Sequence, residues 1–332
     1  MTGPPRGRIA GLDVLRGLAI GLVVLRHAAP GLAPGAGVVG VVMFFALSGY
    51  LITGVLADEV ERTGRVDLRR FYAHRARRLV PALLVLLVAF AAVTLVLDPL
   101  GDRGRLLKTV VVALTWTGNM PFGHASDATF HLWTLATEEQ FYLLWPAALL
   151  LLGGRRGLGV AAAATTALLL ATVVWLRAVP DNAYSLPTPW LVCFVIGAAA
   201  RLGGKGVPTP RWASALSLLG LAVLSVVPLR GHALTYLAGG PAIATLTAVL
   251  LVSWHTWTQV TGPPLRALAW LGTVSYGAYL WNYPLTTWLR PHLAHGAGLV
   301  AAALTLAAAA TSWYVVERPV LSRSRPRELV AA

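Results

Sequence analysis

The stretch RRFYAHRARRLVPALLVLLVAFAAVTLVL (residues 69–97) packs five arginines and a histidine into ten positions, then runs nineteen residues without a charge. At 1.5 Å per residue those nineteen reach about 28 Å, close to the ~30 Å of a bilayer's hydrocarbon. Arginines crowded before such a run mark a cytoplasmic loop. The pattern recurs outward in both directions. Apolar segments fall near 11–33, 36–57, 79–97, 106–120, 132–152, 158–176, 188–202, 212–229, 234–254, 266–288 and 297–315, with basic residues clustered between them. Over all 332 residues, 57% are hydrophobic and 12% charged, half the charge of a soluble domain. Mean hydropathy is +0.68. The net charge of +14 could suit nucleic acid, but the arginines sit between spans instead of lining a polar face, so nucleic-acid binding is excluded. The single Cys193, within an apolar run, leaves neither a disulfide framework nor a cysteine metal site, and no metal is expected.

Orientation follows from the Lys/Arg distribution. With the N-terminal tail (Arg6, Arg8) inside, the loop 58–78 is cytoplasmic and carries Arg62, Arg65, Arg69, Arg70, Arg75, Arg77 and Arg78. Counting all eleven segments as spans then puts Arg155, Arg156 and the Arg201/Lys205/Arg211 loop outside, against the rule. If 106–120 lies on or dips into the outer face, those loops return inside, with Arg318, Arg323, Arg325 and Arg327 of the tail. Nineteen of 27 basic residues are then cytoplasmic and six external, with Arg16 and Arg26 inside the first helix. The expected fold is an all-α polytopic membrane protein, about ten transmembrane helices in one bundle with both termini cytoplasmic. The N-terminal segment, interrupted by two arginines and a histidine, reads as a retained helix and not a cleaved signal. One membrane domain over 1–332 is expected, with short basic cytoplasmic tails at 1–8 and 319–332 and no loop long enough to fold alone.

Polar residues inside spans are functional candidates by default. Arg16 and His27 are eleven residues apart, close to three helical turns, and so point the same way about 16 Å apart. The alternative is that each snorkels to its interface; for Arg26, about 100° round from His27, snorkelling is the better account. Glu138 and Glu139, in HLWTLATEEQFYLLWP, lie about six residues inside the outer end of their segment, as do His27 and Asn282 in theirs. Imidazole, carboxylate and amide at one depth suggest one site: a histidine can act as general base while a carboxylate orients it. Alternatively the glutamates cap a helix or pair with Arg26. Arg75 and Arg78, three apart on a helix, can clamp a phosphate or simply anchor topology. Gly49 and Ser48, in MFFALSGYLITG (43–54), permit close helix approach.

Six stretches taken in order (GLDVLRGLAIGLVVLRH, VMFFALSGYLITG, RRFYAHRARRLVP, HLWTLATEEQFYLLWP, SYGAYLWNYPL and VVERPVL) resemble the acyltransferase-3 family of integral membrane O-acyltransferases. The resemblance covers residues 8 to 321. It implies an all-helical membrane enzyme that moves an acyl group from cytoplasmic acyl-CoA, a co-substrate and not a resident cofactor, to a sugar or glycoside hydroxyl. On this footing His27 looks like the catalytic base and Arg16 its partner in the Arg-x10-His motif. Arg75 and Arg78 look like the pair that holds CoA phosphates. Glu138 matches the acidic position of WxLxxExxFY, with Trp133, Phe141 and Tyr142 around it; Tyr276 and Asn282 join the substrate side. Glu317 matches the late ERP signature. The chain departs from the pattern twice: Asn282 stands where a histidine is common, and Arg26 precedes His27 where an apolar residue is usual.

Two other classes compete. A transporter or flippase of a glycolipid or small metabolite fits the composition equally well, and the ordered motifs and acyl-CoA dependence discriminate against it. An inactive structural or sensing relative rests on the Asn282 departure alone. The compact chain favours a small glycoside acceptor, such as a macrolide, over an envelope polymer. The expected location is the bacterial cytoplasmic membrane, crossed many times.

Overall fold

The computed structural model describes residues 9–120, 125–204, 207–293 and 296–323. The tail at 1–8 with Arg6 and Arg8, Lys205, and the tail from 324 with Arg325 and Arg327 lie outside the described residues. Within them the chain is helical throughout and contains no strand. Helix α1 (Ala10–Ala28) stops where Pro30 disfavours helical backbone at the residue before it, and Ala29 has already left the helical region at φ −138° and ψ 69°. Helix α2 (Ala36–Thr63) ends in a left-handed Gly64, and α3 (Leu68–Val96) begins on Asp67, whose side chain accepts from the Arg70 backbone N–H. The expected loop 58–78 is therefore corrected: it is the last turn of α2, a four-residue turn, and the first turns of α3. Its Glu, Arg, Ala and Leu are good helix formers, so only the Gly64–Asp67 turn interrupts. At 29 residues α3 is about 43 Å long, and its arginine-rich end overruns a bilayer core.

Helix α4 (Leu106–Leu114) reaches only about 14 Å and cannot cross the hydrocarbon. A 3-10 turn (Asp127–Leu132) leads into α5 (Trp133–Leu152), followed by α6 (Gly154–Trp175), α7 (Leu191–Gly203) and α8 (Arg211–Val226). A π turn (Thr235–Gly239) opens α9 (Gly240–Trp254). The expected single span 266–288 is corrected to two helices, α10 (Pro263–Thr273) and α11 (Ser275–Leu289), broken at Val274. Helix α12 (Ala297–Thr311) continues through a π turn (Ser312–Glu317) into α13 (Arg318–Arg323).

Among the described residues, five helices are long and apolar enough to cross a membrane: α2, α3, α6, α9 with its π turn, and α12 with its continuation. They differ in place. The apolar window of α2 is 78% buried, those of α6 and α12 22%. Helix α2 is the central post, packed against α1, α5, α7, α8 and α9. It meets α7 backbone to backbone: a Cβ on Gly49 would strike the Phe194 carbonyl, and one on Gly197 the Ala46 carbonyl. Large apolar side chains such as Val88, Leu151, Trp175 and Leu299, 70–82% exposed, clothe the periphery. Water does not tolerate so much contiguous apolar surface; lipid does.

Candidate functional site

A cavity of about 540 Å³ opens among α1, α2, α3, α5 and α11, at the basic end of α3. Arg62, Arg70 and His74 line its mouth side with Arg75 and Arg78, and Arg16, Glu138 and Tyr142 line it further along. Arg75 is fixed on two sides: its Nη2 donates to Glu139 Oε1 at 2.7 Å, and its guanidinium lies 3.4 Å over the Tyr142 ring. Tyr142 in turn donates to Glu138 Oε2 at 3.3 Å, and Ser48 lines the cavity with both. Glu138 and Glu139, adjacent in sequence, thus take different tasks because successive helical residues point about 100° apart. Glu138 faces the cavity and Glu139 holds Arg75. Tyr276 lines the same cavity and donates to the Leu79 carbonyl at 2.9 Å, tying α11 to α3.

His27 is not among the groups lining this cavity. In the last turn of α1, it meets Asn282 of α11, with Nδ1 2.5 Å from Oδ1. A chain of hydrogen bonds fixes the tautomer. Thr305 donates its hydroxyl to the Ala301 carbonyl at 2.7 Å and so accepts from Asn282 Nδ2 at 3.3 Å. That leaves the Asn282 oxygen to accept from His27 Nδ1–H. The free lone pair of His27 is then on Nε2, the arrangement a general base requires. The ring also meets Tyr283 edge-on at 5.3 Å.

Of the three polar groups expected at one depth, His27 and Asn282 are brought together and Glu138 is not. Helix α1 ends at Ala28, so His27 is one residue from its end instead of about six, while Glu138 lines the cavity that also holds Arg16. Arg16, 3.9 Å from Asp13, belongs to the cavity. Trp133 joins neither group; it sits in an aromatic cluster with Phe45, Tyr184 and Trp190. Glu317 is buried, accepts from the Ser312 hydroxyl at 2.9 Å, and lies against Gly277 of α11.

The junction between the cavity and His27 is made by residues that spacing did not single out. Tyr279 lines the cavity and donates to the His131 carbonyl at 2.9 Å; its hydroxyl also bonds the Thr134 hydroxyl at 2.5 Å. His131 stacks on Tyr283 at 5.3 Å, the same ring that His27 meets. The signal for His131 was at hand: it opens the HLWTLATEEQFYLLWP stretch, two residues before Trp133. Outside the helices, the Asp181 carboxylate hydrogen-bonds Arg230 at 2.9 Å and holds the guanidinium above its usual pKa.

Residues 9–317 match the family described as Acyltransferase domain, Acyl_transf_3. The chain belongs to this acyltransferase family. Among curated relatives of this family member, the peptidoglycan O-acetyltransferase OatA of Listeria monocytogenes is 29% identical, the match covering 87% of this chain and 51% of that protein. The O-acetyltransferase OatA of Staphylococcus aureus strain NCTC 8325 is 26% identical over 94% of this chain and 57% of its own length. The chain spans about half the length of the curated relatives it matches. No solved structure matches it.

Proposed function

We propose that this family member is a multi-pass membrane O-acyltransferase that carries an acyl group from cytoplasmic acyl-CoA to a sugar hydroxyl, with His27 as general base. The observation that carries the reading is the His27–Asn282 bond, which leaves the Nε2 lone pair free, with Tyr279, His131 and Tyr283 connecting that imidazole to a cavity lined by arginines at the basic end of α3. Acyl-CoA has anionic phosphates joined to a thin pantetheine arm. Arg78, Arg70 and Arg62 suit the phosphates, whereas Arg75, already engaged by Glu139 and Tyr142, suits the wall beside them. The arm would run past Glu138 toward Tyr279. The acceptor oxygen then attacks the thioester carbonyl while His27 Nε2 takes its proton. The C–S bond breaks, and the CoA thiolate leaves and recovers the proton as free thiol. An acyl-histidine intermediate on the same Nε2 is the competing route. Ten spans with both termini inside complete the reading; the nine-residue α4 supports it by leaving 106–120 on one side.

The name of the Listeria monocytogenes relative, a peptidoglycan O-acetyltransferase, favours a sugar of the cell-wall glycan over a macrolide as acceptor. The test is free CoA release by purified protein in nanodiscs, with acetyl-, propionyl- and longer donors and glycan fragments present. Donor-dependent release that disappears in His27→Ala is expected. No release from either protein would replace this reading with a carrier. Changing Arg75 and Arg78 together to Gln should raise the donor KM about tenfold or more, as loss of charge-assisted phosphate contacts does. An unchanged KM would leave both as topology anchors.

A further inference from the structure

The geometry points to His131 as the group that binds the acyl oxygen: its ring N–H donates to the thioester carbonyl and to the oxyanion that forms as the acceptor attacks. The inference rests on the O-acyltransferase reading above. Three observations carry it. First, His131 is 5% exposed, and neither Nδ1 nor Nε2 makes a hydrogen bond of ordinary geometry; the Leu280 backbone interacts with one ring nitrogen at most, which leaves the other without a partner. An imidazole has at least one N–H in every tautomer and charge state, and a buried donor left unpaired is costly. A ligand oxygen would remove that cost. Second, the ring is held in orientation without using its nitrogens. It stacks on Tyr283 at 5.3 Å and tilts against Tyr279 at 5.4 Å, and Tyr279 also donates to the His131 carbonyl. Donors fixed before the reaction and free of competing partners are what oxyanion stabilisation requires. Third, the position is right. His131 does not itself line the cavity, but its carbonyl accepts from Tyr279, which does, and its ring contacts the same Tyr283 ring as His27. A thioester reaching past Tyr279 would place its carbonyl between the two imidazoles, His27 serving the attacking hydroxyl and His131 the carbonyl oxygen.

The bonds balance as follows. The acceptor oxygen adds to the carbonyl carbon, His27 takes the hydroxyl proton, and the carbonyl oxygen gains charge against the His131 N–H. The C–S bond then breaks, the carbonyl re-forms, and the thiolate recovers the proton. His131 gives up no proton, so it differs in kind from a second base.

The experiment compares His131→Phe, His131→Asn and His131→Gln with the parent protein in nanodiscs, following CoA release. The amide nitrogen of Asn overlays Nδ1 and that of Gln overlays Nε2. His131→Phe should lose about 10²-fold in kcat, the loss that follows removal of one oxyanion donor, with donor KM unchanged. One of the two amides should restore much of the rate and so identify the nitrogen. The pH profile should keep the limb that His27 sets, because the base is intact. A second readout uses the carbonyl stretch of a ¹³C-labelled acyl-CoA bound to His27→Ala protein: it should move to higher frequency when His131 is also replaced. Full activity in His131→Phe, equal losses in all three variants, or an unmoved carbonyl stretch would each overturn the proposal. If His131→Phe does not fold, the Asn and Gln pair decides, equal activities being the negative result. Absence of CoA release from the parent protein would instead count against the acyltransferase reading itself.

Discussion

Asn282 stands where a histidine is common in the resembling family, and the structure gives the amide a task a histidine would perform differently. Its Nδ2 is committed to Thr305, so its oxygen faces His27 Nδ1. Asn282→Ala should leave the tautomer unset and lower kcat about 10²-fold, at the lower end of what general-base catalysis contributes. Thr305→Val should produce a smaller fall by freeing the amide to rotate, which CoA-release kinetics can rank. Glu139 offers a contrasting case. Removing its charge with Glu139→Gln leaves the half-buried Arg75 against Tyr142 alone, and thermal stability in detergent should fall, by about 3 kcal/mol if the pair behaves as buried ones do. Much of this was legible from residues alone: an arginine and a histidine on one helix face, two arginines three apart, an acid near an aromatic pair. What spacing could not supply was helix rotation. Glu138 lines the cavity and His27 does not, and Pro30 ends α1 early enough to place His27 in its last turn.

Among elements, the α2–α7 contact is the least forgiving. Gly49 and Gly197 each press on a carbonyl of the opposite helix, so neither backbone can yield to a Cβ without moving its whole helix. Gly49→Ala should destabilise by about 1–3 kcal/mol, as overpacking does, and Gly64→Ala, where the backbone is left-handed but the space is open, should cost less. Melting curves of the two variants test the ranking. The close approach was readable in MFFALSGYLITG, whose small residues announce it. The break at Val274 was not: Gly272-Thr-Val-Ser-Tyr holds no proline, and its apolar content reads as one continuous span. Packing makes the break. Gly272 presses on the Asp13 carbonyl of α1, and Gly17 of α1 on the Leu268 carbonyl, clamping α10 to α1, while α11 packs chiefly on α12.

For the whole molecule, the proposed topology predicts that a reporter fused after residue 156 signals from the cytoplasm; an external signal would restore eleven spans. Composition and charge rhythm made a membrane bundle legible, since apolar runs of bilayer length cannot be confused with a soluble core. They could not tell which helices face lipid, because α2 and α12 read alike in hydropathy while differing more than threefold in burial. The separateness of α11 has a consequence for how such an enzyme can change over generations. Tyr276 and Tyr279 on the cavity, Asn282 bonded to His27, and Tyr283 in contact with both imidazoles all ride on this one fifteen-residue rod. Under the proposed reaction, a mutation that shifts it to admit a bulkier acyl chain also re-aims the groups proposed to meet the acceptor. The two specificities are inherited together, so new donors and new acceptors should arise as linked pairs and not one at a time.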